Sequence, residues 1–275
     1  KYLPDEDKDK RYYWDRFDMF PDKSKCPPDV YNLWPGFAAE SMETDLNEPA
    51  VRDALTRLLE HFKMLCSGDA EPYNFLLDVL AHAVQHPEMK VGIVACLVGL
   101  QGCGKGTVWE IIERLVGDLC CFSTKKPERD VYGNFNGRMK NAFFVRMAEC
   151  TKAKLQSDEL KDVITGHKID VHEKYCPVVE VKSYARFFID TNRVDAIPDE
   201  HGERRYFIIK CNEAMIGHNE DYFTPLRKVL ADDRVIRALY DFLMARSIKS
   251  TYHGKDIPVG AYARALKDSK RSEAE

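Results

Sequence analysis

Val91-Gly92-Ile93-Val94-Ala95-Cys96-Leu97-Val98 runs directly into Gly99-Leu100-Gln101-Gly102-Cys103-Gly104-Lys105-Gly106-Thr107. The first stretch is apolar at both alternating sets of positions, which is the pattern of a strand buried on two faces in a parallel sheet. A glycine-rich turn follows, and then a helix predicted from Lys105 to about Leu115. In that order, successive backbone N–H groups point into one concavity, and the helix N-terminus adds the positive end of its dipole. The glycines remove the Cβ atoms that would block an approaching phosphate. Lys105 adds a point charge suited to β- and γ-phosphates. The stretch therefore predicts a nucleoside triphosphate site with Gly99, Gln101, Gly102, Cys103, Gly104, Lys105, Gly106 and Thr107 as contact positions. One position departs from the usual pattern. Gly106 stands where a Ser or Thr normally follows the lysine, so a direct magnesium ligand there is excluded. Thr107 is left to touch the α-phosphate or to help hold Mg2+ through water.

Hydrolysis needs more than a phosphate loop. It needs an acid near the metal and the attacking water, a polar group facing the γ-phosphate, and positive charge for the transition state. Ala142-Phe143-Phe144-Val145-Arg146-Met147-Ala148-Glu149 is an apolar strand ending in a carboxylate. Ala148 occupies the place where an aspartate often precedes the glutamate, so Glu149 has to orient water and help with the metal. Arg186-Phe187-Phe188-Ile189-Asp190-Thr191-Asn192 is a second such strand, and Asn192 at its end can hydrogen-bond the γ-phosphate or the water. Glu203-Arg204-Arg205-Tyr206 places two arginines beside a further strand, where either could reach a neighbouring subunit's nucleotide. Each candidate also has a plain reading: a surface glutamate, a turn asparagine, arginines paired to Glu203 or Glu200. Glu149 lies about midway in sequence between Lys105 and Asn192, which fits one compact sheet.

The rest of the 275 residues is consistent with this core. Hydrophobic residues make up 44%, enough for a buried core. With 41 basic and 45 acidic residues the net charge is -4, so any nucleic-acid contact must come from a local basic site. The nine cysteines show no C-x-x-C spacing and read as reduced thiols of an intracellular, cytoplasmic protein. No apolar run is long enough for a membrane span. The start at Lys1 reads as a piece cut from a longer polypeptide. Residues 1–43 are expected to form a linker and lead-in, with Val30-Tyr31-Asn32-Leu33-Trp34 extended. Residues 44–89 read as a helical region: one helix capped by Asn47 with Pro49 in its first turn and ended by Gly68, and a second over roughly 71–86. Residues 90–212 form the phosphate-loop core, and residues 213–275 a helical C-terminal segment and tail. The predicted fold class is α/β, a parallel sheet flanked by helices.

In order along the chain, these pieces resemble the superfamily 3 helicases, particularly the primase–helicase proteins of phages and large DNA viruses. Val30–Phe37, Ala81-His82 through His86-Pro87, Leu160-Lys161-Asp162-Val163-Ile164-Thr165-Gly166 and Glu173-Lys174-Tyr175 carry the likeness beside the phosphate loop. The resemblance implies an AAA+-like core, ATP with Mg2+, and a homo-oligomeric, hexameric ring on single-stranded DNA at a viral or host replication site. It implies a primase or polymerase fused to or paired with the motor. It also implies nucleotide sites between subunits, with Arg204 or Arg205 acting in trans, and a DNA-contacting hairpin over 168–181. In that hairpin Lys174 is the matched lysine, with His172 and Lys168 as further contacts. Six copies of one lysine around a channel would bind DNA without a basic chain.

Two other readings stay open. Gly104-Lys105-Gly106-Thr107 is the form used by nucleoside monophosphate kinases, although those place the loop near their N-terminus. The altered positions Gly106 and Ala148 would also suit a scaffold that binds nucleotide only to assemble. His82 and His86 lack the glutamate of a zinc-protease helix and read as packing or capping residues. His167, His172 and Cys176 are a weak metal set.

Overall fold

The computed structural model describes residues 16–193, 196–197 and 205–249. In chain order the elements are β1 (Arg16–Asp18), β2 (Val30–Asn32), α1 (Pro49–Leu65), α2 (Ala70–Gln85), β3 (Val94–Val98), α3 (Lys105–Val116), β4 (Cys121–Thr124), α4 (Pro127–Asp130) and β5 (Phe144–Ala148). They continue as α5 (Lys152–Leu155), α6 (Asp158–Thr165), β6 (Lys168–Val171), β7 (Val179–Lys182), β8 (Arg186–Thr191), β9 (Tyr206–Lys210), α7 (Thr224–Leu230) and α8 (Asp233–Ala245).

Five strands form one sheet in the order β4-β5-β8-β3-β9, and every pairing is parallel. This is the α/β architecture that the doubly apolar strands predict. Alternate residues divide between two cores. Ala95, Leu97, Phe144, Phe188 and Phe207 face α1, α2, α3, α7 and α8. Val94, Cys96, Val145, Met147, Phe187 and Ile189 face α6 and the β6–β7 hairpin. The two helical regions that flank the sheet in sequence therefore share one layer in space.

Local chemistry sets the boundaries. Helix α1 begins at Pro49, whose fixed φ suits a first helical position. Its cap is Glu48, without a side-chain bond, and not the Asn47 expected from sequence. Gly68 ends the α1 segment in the left-handed region, its N–H donating to the Lys63 carbonyl at 2.9 Å. Asp69 caps α2 by accepting from the Glu71 N–H. Strand β3 is shorter than the apolar run, because Val91, Gly92 and Ile93 lie outside it. The C-terminal segment is two helices, broken where Asp232 caps α8 by accepting from the Arg234 N–H. Strand β4 is an unanticipated edge strand, four residues long, with no distinctive alternation. Trp34 and Phe37, from the extended lead-in, pack on Phe143 with ring centroids 4.7 and 5.5 Å away. No helix among the described residues is long and apolar enough to cross a membrane.

Candidate nucleotide site

Residues 99–104 connect β3 to α3 at the C-terminal edge of the sheet. Gly102 and Gly104 have φ of 90° and 106°, values that glycine adopts without a Cβ penalty. A Cβ on Gly104 would also lie 2.6 Å from the His61 ring. His61 comes from α1 and is fully buried. Its Nε2 is 3.2 Å from the Gly104 carbonyl and its Nδ1 3.0 Å from the Tyr222 hydroxyl. A carbonyl only accepts, so Nε2 carries the proton and Nδ1 accepts from Tyr222. Burial pushes this imidazole down to about 4, so the ring is neutral. The loop is braced from outside the sheet by two segments distant in sequence, and the Leu100 N–H adds a third tether to Glu213 at 3.1 Å.

Lys105 is buried at 7% exposure. Its ammonium donates to the Gly99 and Leu100 carbonyls at 2.5 and 2.9 Å and to Asn192 Oδ1 at 3.2 Å. Among the described residues, no backbone carbonyl accepts from the N–H groups of Gly102, Gly104 or Gly106, while the Lys105 N–H donates to the Cys103 thiol. Three such amides beside one ammonium are donors of the kind a triphosphate chain requires, so the residues present fit that ligand. Gly106 is exposed and a Cβ there would meet nothing within 4 Å. Gln101 is exposed at the turn, and Thr107 is half-buried with its N–H on the Gly104 carbonyl. Cys103 is fully buried, 3.7 Å from the Lys105 ammonium. A hydrogen bond with the Cys211 thiol, helped by Lys105, pulls the Cys103 thiol down against the burial that raises it.

The other expected residues divide into three groups. Asn192 and Glu149 lie at the same sheet edge as the loop. Strand β8 stands between β3 and β5, so Asn192 is next to the loop and Glu149 one strand further. Glu149 has φ of 52°, rare for a residue with a side chain, and its N–H donates to the Asp190 carbonyl at 3.0 Å. Its carboxylate is 63% exposed and pairs with Lys125 at 2.7 Å. Arg205 forms the second group. It immediately precedes β9, and its carbonyl accepts from the Val94 N–H at 2.8 Å. That is the opposite edge of the sheet, roughly 16 Å from the loop at about 3.3 Å per strand residue. Arg204 lies outside the described residues.

The third group is the β6–β7 hairpin, antiparallel from Lys168↔Lys182 to Val171↔Val179. It leads into the N-terminal end of β8, so the six residues of that strand separate it from Asn192. Lys174 and Tyr175 are exposed in its connection, Tyr175 at 99% and at φ 62°. Lys168 is exposed and paired to Glu180, and the His172 N–H donates to Asn136. Buried Asn136 also donates to the Asp170 carbonyl, and Lys90 donates to the Gly166 carbonyl and the Ser183 hydroxyl, which fixes the hairpin base.

Sequence reading missed the groups that complete the loop's surroundings. Arg146 makes a bidentate pair with Asp190, Nε to Oδ1 at 2.9 Å and Nη2 to Oδ2 at 2.7 Å. Polar residues inside otherwise apolar strands were the available signal. Lys125, His61 and Glu213 carry no motif and are found only by folding the chain.

Residues 97–205 match a family of unknown function (DUF5906). Over 152 residues the chain is 24% identical to the DNA primase-polymerase of Nitratiruptor phage NrS-1, covering 54% of this chain and 21% of that protein. The fold is that of the NrS-1 C-terminal region. One apo structure of that region superposes with a TM-score of 0.71 and 17% identity, over 92% of this chain and 60% of the other. Another, spanning 305–718, gives 0.69 and 17%, over 87% and 56%. The chain thus spans about a fifth of the curated relative and less than two thirds of its solved region.

Proposed function

We propose that this chain is an ATP-dependent DNA helicase motor of the superfamily 3 type, translocating on single-stranded DNA during phage or viral genome replication. The observation that carries the reading is the contact of Lys105 with Asn192 across adjacent strands, with Glu149 one strand beyond. That places an ammonium, a neutral polar group and a carboxylate along one sheet edge, the three functions phosphoryl transfer to water requires. Similarity to a phage protein named as a primase-polymerase supports a replication role and a linked primase or polymerase.

In this reading the loop amides and Lys105 hold the triphosphate of ATP, Asn192 faces the γ-phosphate, and Glu149 orients the attacking water. Mg2+, when bound with the nucleotide, would supply charge neutralisation for the triphosphate. Arg205 stands too far from its own loop to serve it. It would meet a nucleotide on the next subunit of a homo-oligomeric, hexameric ring, with Arg204 as the alternative from sequence. Lys174, with His172 and Lys168, would line the ring's channel and contact DNA phosphates.

The test is the ATPase rate of the protein against its own concentration, with and without single-stranded DNA. Composite sites give a rate per subunit that rises steeply with concentration, and DNA raises it further. A rate per subunit independent of concentration and of DNA would count against the motor. Rapid ADP formation from ATP plus AMP would point to a monophosphate kinase instead.

A further inference from the structure

The aspartate missing before Glu149 has a counterpart on the neighbouring strand. In the parallel β5–β8 ladder, Ala148 is the register partner of Asp190. Alternate strand residues share a face. Arg146 and Ala148 are therefore on one face of β5, and the bidentate Arg146–Asp190 pair puts the Asp190 carboxylate on that same face. Asp190 is also the register partner of Leu97 on β3, so it stands one strand nearer the phosphate loop than residue 148 does. Lys105, Trp109, Arg146 and Asp190 together line the cleft between this face and α3. Asn192, two residues further on, reaches Lys105.

We infer that Asp190 is the carboxylate that holds the hydrated magnesium of the bound nucleotide, in place of the missing acid at Ala148, and that Arg146 positions it. The inference rests on the reading of residues 99–107 as a nucleotide site. A carboxylate offers about four lone-pair sites, so the two bonds to Arg146 leave acceptors for metal-bound waters. Mg2+ keeps several waters and is commonly held by one or two carboxylates plus substrate phosphates. That suits a chain in which, among the described residues, no three His, Cys, Asp or Glu side chains cluster as a metal cage. The pair divides the work between environments. Asp190 is only 15% exposed and fixed by a half-buried guanidinium, whereas Glu149 is 63% exposed, paired to the exposed Lys125 and in contact with solvent.

The experiment measures binding of a fluorescent ATP analogue with EDTA and with Mg2+, and binding of Mn2+ to the protein–nucleotide complex by electron paramagnetic resonance. Asp190→Asn should keep the metal-free nucleotide affinity and weaken Mn2+ binding by about 10–100-fold, the range typical of residues acting through a metal's outer shell. Asp190→Asn strands the Arg146 guanidinium, so Arg146→Gln with Asp190→Asn is measured beside it and should show the same loss. Adding Ala148→Asp to Asp190→Asn should recover Mn2+ affinity, because the two positions are register partners on one face. Unchanged Mn2+ affinity in both Asp190 variants overturns the inference and leaves Asp190 a structural partner of Arg146. Failure of the wild type to bind nucleotide with or without metal overturns the nucleotide reading itself, and this inference with it.

Discussion

Lys105 and Asn192, 87 residues apart in the chain, meet through a hydrogen bond of 3.2 Å from Nζ to Oδ1. The contact exists because β8 pairs with β3 and not because the two segments are close in sequence. Val98 and Thr191 are register partners, so the residues that follow them leave the sheet side by side. The ammonium is already bonded to two loop carbonyls, and an incoming phosphate has to exchange those bonds for stronger charge-assisted ones.

Lys105→Ala should abolish nucleotide binding, because no other cation among the described loop residues faces the site. Asn192→Ala should bind nucleotide within a few-fold of wild type, since the loop amides and Lys105 remain. Its turnover should fall by about 10²–10³, the usual cost of one lost polar group facing developing charge. Titration with a fluorescent ATP analogue and steady-state hydrolysis separate the two effects. Equal loss of affinity in both variants would show that Asn192 acts only by holding Lys105.

Glu149 combines a strained backbone with an exposed carboxylate. A residue with a Cβ in the left-handed region costs about 1–2 kcal/mol, and such strain survives where function requires it. Glu149→Gly should therefore raise stability by about 1 kcal/mol while removing hydrolysis. Glu149→Gln should remove hydrolysis without the gain in stability. Thermal melts and turnover on the two variants check both halves. A Gly variant no more stable than the Gln variant would mean that the φ of 52° carries no strain.

The sheet was legible in the sequence wherever a strand was apolar on both faces. Val94–Val98, Phe144–Ala148 and Arg186–Thr191 all announce themselves that way. Cys121–Thr124 does not, because an edge strand has a neighbour on one side only and its pattern is short. The glycine-rich turn between β3 and α3 was legible because its conformation is set by consecutive residues, Gly102 and Gly104 among them. The supports of that loop were not. His61, Tyr222 and Glu213 reach it from helix and loop segments whose sequences contain no motif, and their positions depend on how the helical layer packs on the sheet. Asp190 was visible as a polar residue inside an apolar strand, but its position opposite Ala148 follows only from strand order and register.

Acid should destabilise the fold between about pH 6.5 and pH 4. Burial pushes His61 down to about 4, and burial together with Arg186 and His86 does the same to His82. Both rings are then neutral in the folded chain and protonated in the unfolded chain across that window. The unfolded state binds more protons there, so stability rises with pH and is fully present above about 6.5. His61 alone accounts for a loss on the order of 3 kcal/mol by pH 4, since each tenfold change in proton affinity is worth about 1.36 kcal/mol. Denaturant melts across the window should show the slope, and His61→Asn should flatten part of it. A wild-type midpoint that does not move between pH 7 and pH 4.5 would rule out neutral buried histidines.

Cys103 should report occupancy of the loop. Its thiol is held toward the thiolate by Cys211 and the neighbouring Lys105 ammonium, yet it is fully buried, so reagent reaches it only when the loop opens. Cys176 is exposed on the hairpin and should be alkylated first, without effect on nucleotide affinity. Cys103 should follow slowly, its modification should block nucleotide binding, and ATP should protect it. Mass mapping of iodoacetamide-treated protein, with and without ATP, gives both rates. Protein alkylated at Cys103 that still binds nucleotide with unchanged affinity would show that the loop tolerates bulk beside Lys105.

The two ends of β8 carry different candidate residues. Asn192 follows this strand and the β6–β7 hairpin precedes it, so the six residues of β8 separate the hairpin from Asn192. Lys174 is exposed there, while Lys168 is paired with Glu180. A phosphate contact is electrostatic and sequence-independent, so Lys174→Ala should weaken single-stranded DNA binding uniformly across sequences and lower its salt dependence by about one unit per lysine lost. Stimulation of hydrolysis by DNA should vanish, while affinity for the ATP analogue, measured without DNA, stays as in wild type. Lys90→Met should give the same phenotype by a different route, because it releases the Gly166 and Ser183 ends of the hairpin without touching its connection. If Lys174→Ala is stimulated by DNA as strongly as wild type, the channel lies on another surface of the protein and the hairpin assignment is wrong.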